Sequence, residues 1–135
     1  MKNTLKFTLT ILAIALMVAC DSEKQQSDIN LNDGEKWKVN SEMKPHIERG
    51  NEMLDDFISE NGTDYLQLAE NLKAQNSALV KSCTMKGESH DELHKWLHPH
   101  LELTDQLSDA KSLDKAKEII PQLEASFDTY ENYFE

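Results

Sequence analysis

Beyond residue 40 the chain repeats apolar side chains at helical spacing, and the repeats break at short polar turns. A first helix is predicted over 42–60, where Met43, Ile47, Gly50, Met53, Leu54 and Phe57 fall within one arc at 100° per residue. Asn40 and Ser41 are its candidate caps, and Pro45 sits where a first turn tolerates proline. Asn61-Gly62 stops it. A second helix over 64–84 gathers Tyr65, Leu68, Ala69, Leu72, Asn76, Leu79 and Cys83 on one arc, with Gly87 as its stop. A third opens on Ser89-His90-Asp91-Glu92, a capping box in which Glu92 reaches back to the cap. Its arc holds Leu93, Trp96, Leu97, His100, Thr104 and Leu107, and Pro99 inside it predicts a kink at a cost of about 3 kcal/mol. A fourth, over 113–134, carries the cleanest stripe: Leu113, Ala116, Ile119, Ile120, Leu123, Phe127, Tyr130 and Phe134.

Four such helices with short connections predict an all-α fold, an antiparallel up-down-up-down four-helix bundle over 39–135. No segment alternates with period two, so a strand reading fails. Residues 21–38 are mostly polar and read as a spacer, with Trp37 beginning the packed part.

Composition narrows the function classes. The chain has 135 residues, a formal net charge of -11, and few glycines and prolines, which fits one helical domain with small extras. Lys2 and Lys6 are the only charges before Asp21, so the body after them is more acidic than the whole. Such a body repels phosphate backbones, and nucleic acid is not an expected partner. No nucleotide-binding loop, dinucleotide fingerprint or catalytic triad signature appears, and no nucleophile has a paired base at readable spacing. An enzyme is not expected.

The first 20 residues carry an address. Lys2 and Lys6 form a positive n-region, and the mostly apolar stretch 7–18 is too short to span ~30 Å of hydrocarbon. The stretch ends Met17-Val18-Ala19-Cys20. This resembles the lipobox of bacterial lipoproteins. The resemblance implies cleavage after residue 19, acylation of Cys20 and a mature protein tethered by lipid to a membrane of the cell envelope, outside the cytoplasm. It leaves the leaflet open. The block 83–103 is similar to that of small helical lipoproteins of Bacteroidota with no assigned chemistry, and this second resemblance contributes no site residues.

With Cys20 acylated, Cys83 has no cysteine partner within the chain. It opens the stretch richest in chemistry: Cys83, Met85, His90, His94, His98 and His100 lie within 83–100, four of the chain's five histidines among them. His90, His94 and His98 stand at i, i+4 and i+8, so neighbours in the row share a face. The HExxH protease motif is absent, because Asp91 stands where it needs glutamate. An up-down-up-down topology brings the start of helix 1, the end of helix 2 and the start of helix 3 to one end. His46, Cys83, Met85, His90 and His94 are therefore the candidate metal ligands. Thiolate, thioether and imidazole suit copper(I), and zinc without the methionine. A structural polar cap is the bland reading of the same residues.

Three function classes follow. The first is a tethered bundle that binds copper or zinc. The second is an interaction or structural bundle that docks an envelope protein. The third is a non-covalent haem bundle with axial ligands from His100, His46 and Met53; no CxxCH is present for covalent attachment. His100 and Asn76 are expected to hydrogen-bond in mid-bundle. His98 lies off the core arc and reads as solvated.

Overall fold

The computed structural model describes residues 28–135. Four α-helices make up most of them: α1 (Lys44–Ser59), α2 (Tyr65–Ser82), α3 (Glu88–Asp109) and α4 (Leu113–Tyr133). Each helix packs on the next, and α1 meets α4 to close the ring. The contacts fix the direction of every helix. Asn40 Nδ2, ahead of α1, donates to the carbonyl of Ser82 at the end of α2 (3.0 Å). At the other end, the Tyr65 hydroxyl at the start of α2 donates to Ala110 just beyond α3 (3.1 Å). Trp37, ahead of α1, bridges Phe134 at the end of α4. This is the up-down-up-down bundle the apolar periodicity predicts. No described helix is long and apolar enough to cross a membrane.

The arcs bury as their spacing demands. Leu54, Leu72, Leu79, Leu93, Leu107 and Leu123 are sealed at the centre, one or two from each helix. At Gly50, α1 packs tightly on α4: a Cβ there would meet Phe127 Cζ at 3.2 Å. Glycine costs helix stability at this point but removes the side chain that would hold the two helices apart.

The helix ends depart from the sequence reading in three places. Asn40 and Ser41 do not cap α1, whose N-cap is Met43 without a side-chain bond. Asn40 instead ties α1 to the end of α2, its Oδ1 accepting from the Thr84 amide (3.2 Å). Ser89 is not the cap of α3. Gly87, in the left-handed region at φ 69°, starts that helix two residues earlier than the capping box requires. Glu92 is drawn elsewhere: it accepts from the Asn30 amide (3.0 Å) and from Lys95 Nζ (2.6 Å). Burial pushes the Glu92 carboxyl up, but Lys95 and the Asn30 N–H outweigh it and hold the group below its usual range. Asp64 and Ser112 do cap α2 and α4, accepting from the Gln67 and Lys115 amides.

Pro99 does not split α3, which runs unbroken from Glu88 to Asp109. Proline has no N–H to donate to the Lys95 carbonyl, and packing on both neighbours carries the helix past that gap.

Packing also begins earlier than the polar composition of 21–38 indicates. Ile29, Trp37 and Val39 are buried in the core. The Trp37 amide donates to Tyr133 and the Val39 amide to Glu135 (2.8 Å each), and Lys95 Nζ donates to the Asp28 carbonyl (3.0 Å). Few apolar residues are present in this segment; Ile29 and Trp37 dock it, and Leu31 stays exposed.

Candidate metal centre

α3 opens with an acidic first turn, Glu88 and Asp91, which suits the positive end of the helix dipole. One face of its next two turns is a ladder of imidazoles. His90 and His94 are half-buried and His98 is exposed. Helical spacing stacks the three rings, and their nitrogens meet. Nε2 of His94 lies 3.0 Å from Nε2 of His90, and Nδ1 of His94 lies 3.0 Å from Nε2 of His98. The ring centroids are 4.3 and 5.0 Å apart. Asp91 Oδ1 stands 3.9 Å from Nδ1 of His90, beyond hydrogen-bond reach.

Burial holds the His94 imidazole below its ordinary pKa, and the neighbouring His90 and His98 add to that by like-charge repulsion. The central ring of the ladder thus stays neutral, with a lone pair to offer, to lower pH than a free imidazole. A neutral imidazole has one donor nitrogen and one acceptor. His94 uses both, one toward each neighbour, so the three rings form a directional chain of N–H···N contacts.

The other predicted ligands have different partners. His46 Nδ1 lies 3.2 Å from Gln75 Oε1, on α2 some two turns before Cys83. Cys83 is the C-cap of α2, and Met85 lies in the connection beyond it; both are half-buried against the hydrophobic core. The bundle therefore brings all five to the same end, as the topology requires. It puts only His90 and His94 in contact. Among the described residues no three His, Cys, Asp or Glu side chains form a group that could hold one ion. His98, read as merely solvated, is exposed but belongs to the ladder. Its signal was the i, i+4, i+8 row itself.

His100 does not have the predicted partner. Its side chain is sealed, stacked on Trp96 (centroids 4.9 Å) and edge-on to Phe127 (4.7 Å). Nδ1 meets Ser126 Oγ on α4 at 3.0 Å. Asn76 donates instead to Thr104 Oγ1 (3.1 Å), and that hydroxyl donates to the His100 carbonyl (3.1 Å). Asn76 and His100 are thus linked through Thr104, not directly.

No family model, curated protein or solved structure matches the chain.

Proposed function

We propose that this chain is an envelope lipoprotein, lipid-anchored at Cys20, whose bundle binds copper or zinc at the His90–His94 pair. The observation that carries the reading is the 3.0 Å separation of the two Nε2 atoms. One ion with Zn–N type bonds of ~2.0–2.1 Å spans such a pair when the two bonds stand near a right angle. An all-imidazole pair suits copper(II) and zinc, with copper(II) the tighter by the ordinary affinity order. The remaining coordination positions are open to water or to a ligand from a partner, which fits a protein that holds and passes on an ion. His98 is the positioning residue. When Nε2 of His94 binds the ion, its proton sits on Nδ1 and is donated to His98, which fixes the tautomer. The leading segment docks on Glu92 and Lys95, on the same turns of α3 as this ladder. Asp28 follows Cys20 by eight residues, so the tether spans at most about 29 Å and the site stays close to the membrane surface.

Copper(II) and zinc titrations of the untagged full-length protein test the site. His94→Ala reduces binding to that of a single surface imidazole, and His98→Ala weakens it about tenfold without removing a ligand. Binding weakens in acid as the imidazoles take up protons. Equal affinity in wild type and His94→Ala would contradict the assignment. For the anchor, Cys20→Ser should abolish lipid labelling and release the protein from membranes; continued labelling would place acylation elsewhere.

A further inference from the structure

Asp33-Gly34 and Asn61-Gly62 are the places where an acidic or amide side chain precedes a glycine. Such pairs can cyclise. The glycine nitrogen attacks the neighbouring side-chain carbonyl carbon and closes a succinimide, because glycine puts no side chain in the way. By residue chemistry alone Asn61-Gly62 is the faster pair, since an asparagine amide closes the ring more readily than an ionised carboxylate. The fold reverses that order. Asn61-Gly62 follows the end of α1, with Asn61 at φ 54°. The Gly62 N–H, whose nitrogen is the nucleophile, donates to the Phe57 carbonyl at 2.8 Å. The Phe57 ring lies against Gly62: a Cβ there would stand 2.5 Å from Phe57 Cδ2. Cyclisation has to turn the peptide between the two residues, which breaks that bond and pulls Gly62 out of its packing on the ring.

Asp33-Gly34 is open. The pair forms the tip of a two-residue turn, at φ 51° and 92°, closed by two bonds between Asn32 and Glu35 (2.9 Å each). Both residues are exposed, and nothing lies within 4 Å of the place where a Gly34 Cβ would stand. Among the described residues the Gly34 N–H makes no backbone hydrogen bond. Beneath the tip, the Trp37 indole N–H donates to the Asn30 carbonyl (2.5 Å) and ties the two ends of the loop together.

We propose that Asp33 is a site of spontaneous isoaspartate formation in the folded protein, while Asn61 is protected. The Gly34 nitrogen bonds to Asp33 Cγ, and the carboxyl hydroxyl leaves as water with the proton of the Gly34 amide. Water then opens the ring at either carbonyl. One opening restores aspartate. The other carries the chain through the side-chain carboxyl, an isomer of unchanged mass with one more methylene in its backbone. A two-residue turn has no room for that extra atom, so the Asn32–Glu35 pairing is lost. The Trp37–Asn30 bond keeps the change local to the tip. This site is independent of the histidine ladder.

Full-length protein in neutral detergent is incubated for weeks at neutral pH, folded or in guanidinium, and followed by tryptic peptide mapping. Folded wild type is expected to gain isoaspartate at position 33, seen as a peptide of unchanged mass whose electron-transfer fragments place the altered linkage there. It should show no deamidation at Asn61. In guanidinium the order reverses, and Asn61 changes first. Asp33→Asn gives both positions the same chemistry and keeps a residue that suits the turn. The folded variant should deamidate about tenfold faster or more at position 33 than at Asn61, because only Asn61 must wait for local opening. Equal rates at the two positions of the folded variant would overturn the proposal. So would a folded wild type that gains no isoaspartate at position 33 over the time in which the denatured chain does.

Discussion

Trp96→Ala should destabilise the bundle by about 3–5 kcal/mol, the cost of emptying a large aromatic site in a core. Trp96 is 2% exposed and sits where α3 meets α4. Its ring stacks on His100 and lies against Tyr130 and Phe134, with centroids 4.9, 4.9 and 6.5 Å away. Its indole N–H donates to the Ser126 carbonyl at 2.7 Å. Alanine removes the ring volume and leaves His100 with one aromatic face uncovered. Its neighbours are themselves rings held by other contacts, so the site collapses little. Against a total stability of about 5–15 kcal/mol, typical of folded domains, the loss is large. Trp96→Phe keeps a ring but not the N–H, and its cost should fall between wild type and alanine. Denaturant unfolding of the three proteins measures this. A loss below about 1 kcal/mol for Trp96→Ala would mean that the α3–α4 seam does not depend on this ring.

Acid should weaken the same seam through His100. Burial lowers its pKa from 6.5 to about 4 in the folded state. Between those values the unfolded chain binds a proton at His100 that the folded chain refuses, so stability falls as pH falls. The contribution is complete above pH 6.5 and lost on the way to pH 4, amounting to about 3 kcal/mol over the window. His94 acts in the same direction, since its pKa is also lowered, by burial first and then by its two neighbours. Glu92, held below its ordinary value, adds a further loss below pH 4.5 as it takes up a proton. Stability measured from pH 7.5 to 4 should therefore decline steadily in wild type. In His100→Gln, which cannot titrate, the slope should be shallower by about 1.4 kcal/mol per pH unit inside the window. An unchanged slope would show that His100 is not the group responsible.

The bundle was legible because one physical signal dominates it. Arcs such as Leu113–Ala116–Ile120–Leu123–Phe127–Tyr130 leave a helix only one face to bury, and short connections leave neighbours only one direction to run. The ladder was legible for the same reason: i, i+4, i+8 spacing on a helix is contact. What sequence could not supply were partners set by tertiary contact. Glu92 was expected to close a capping box, but Asn30, 62 residues away, takes its carboxylate. His100 and Asn76 lie on inward arcs, and an inward arc does not say which neighbouring helix a ring will face. His100 turned to Ser126 on α4, and Asn76 to Thr104 on α3. Cys83 was placed inward for the same reason, but inward near this end means against the core, and His46 faces Gln75.

Electron paramagnetic resonance of the untagged full-length protein with one equivalent of copper(II) tests the central assignment most directly, because nitrogen hyperfine structure counts the imidazoles on the ion. The His90–His94 pair predicts two nitrogen ligands in wild type and in His98→Ala, and a single one in His90→Ala. A wild-type spectrum with one nitrogen, or with sulfur ligation from Cys83, would contradict it.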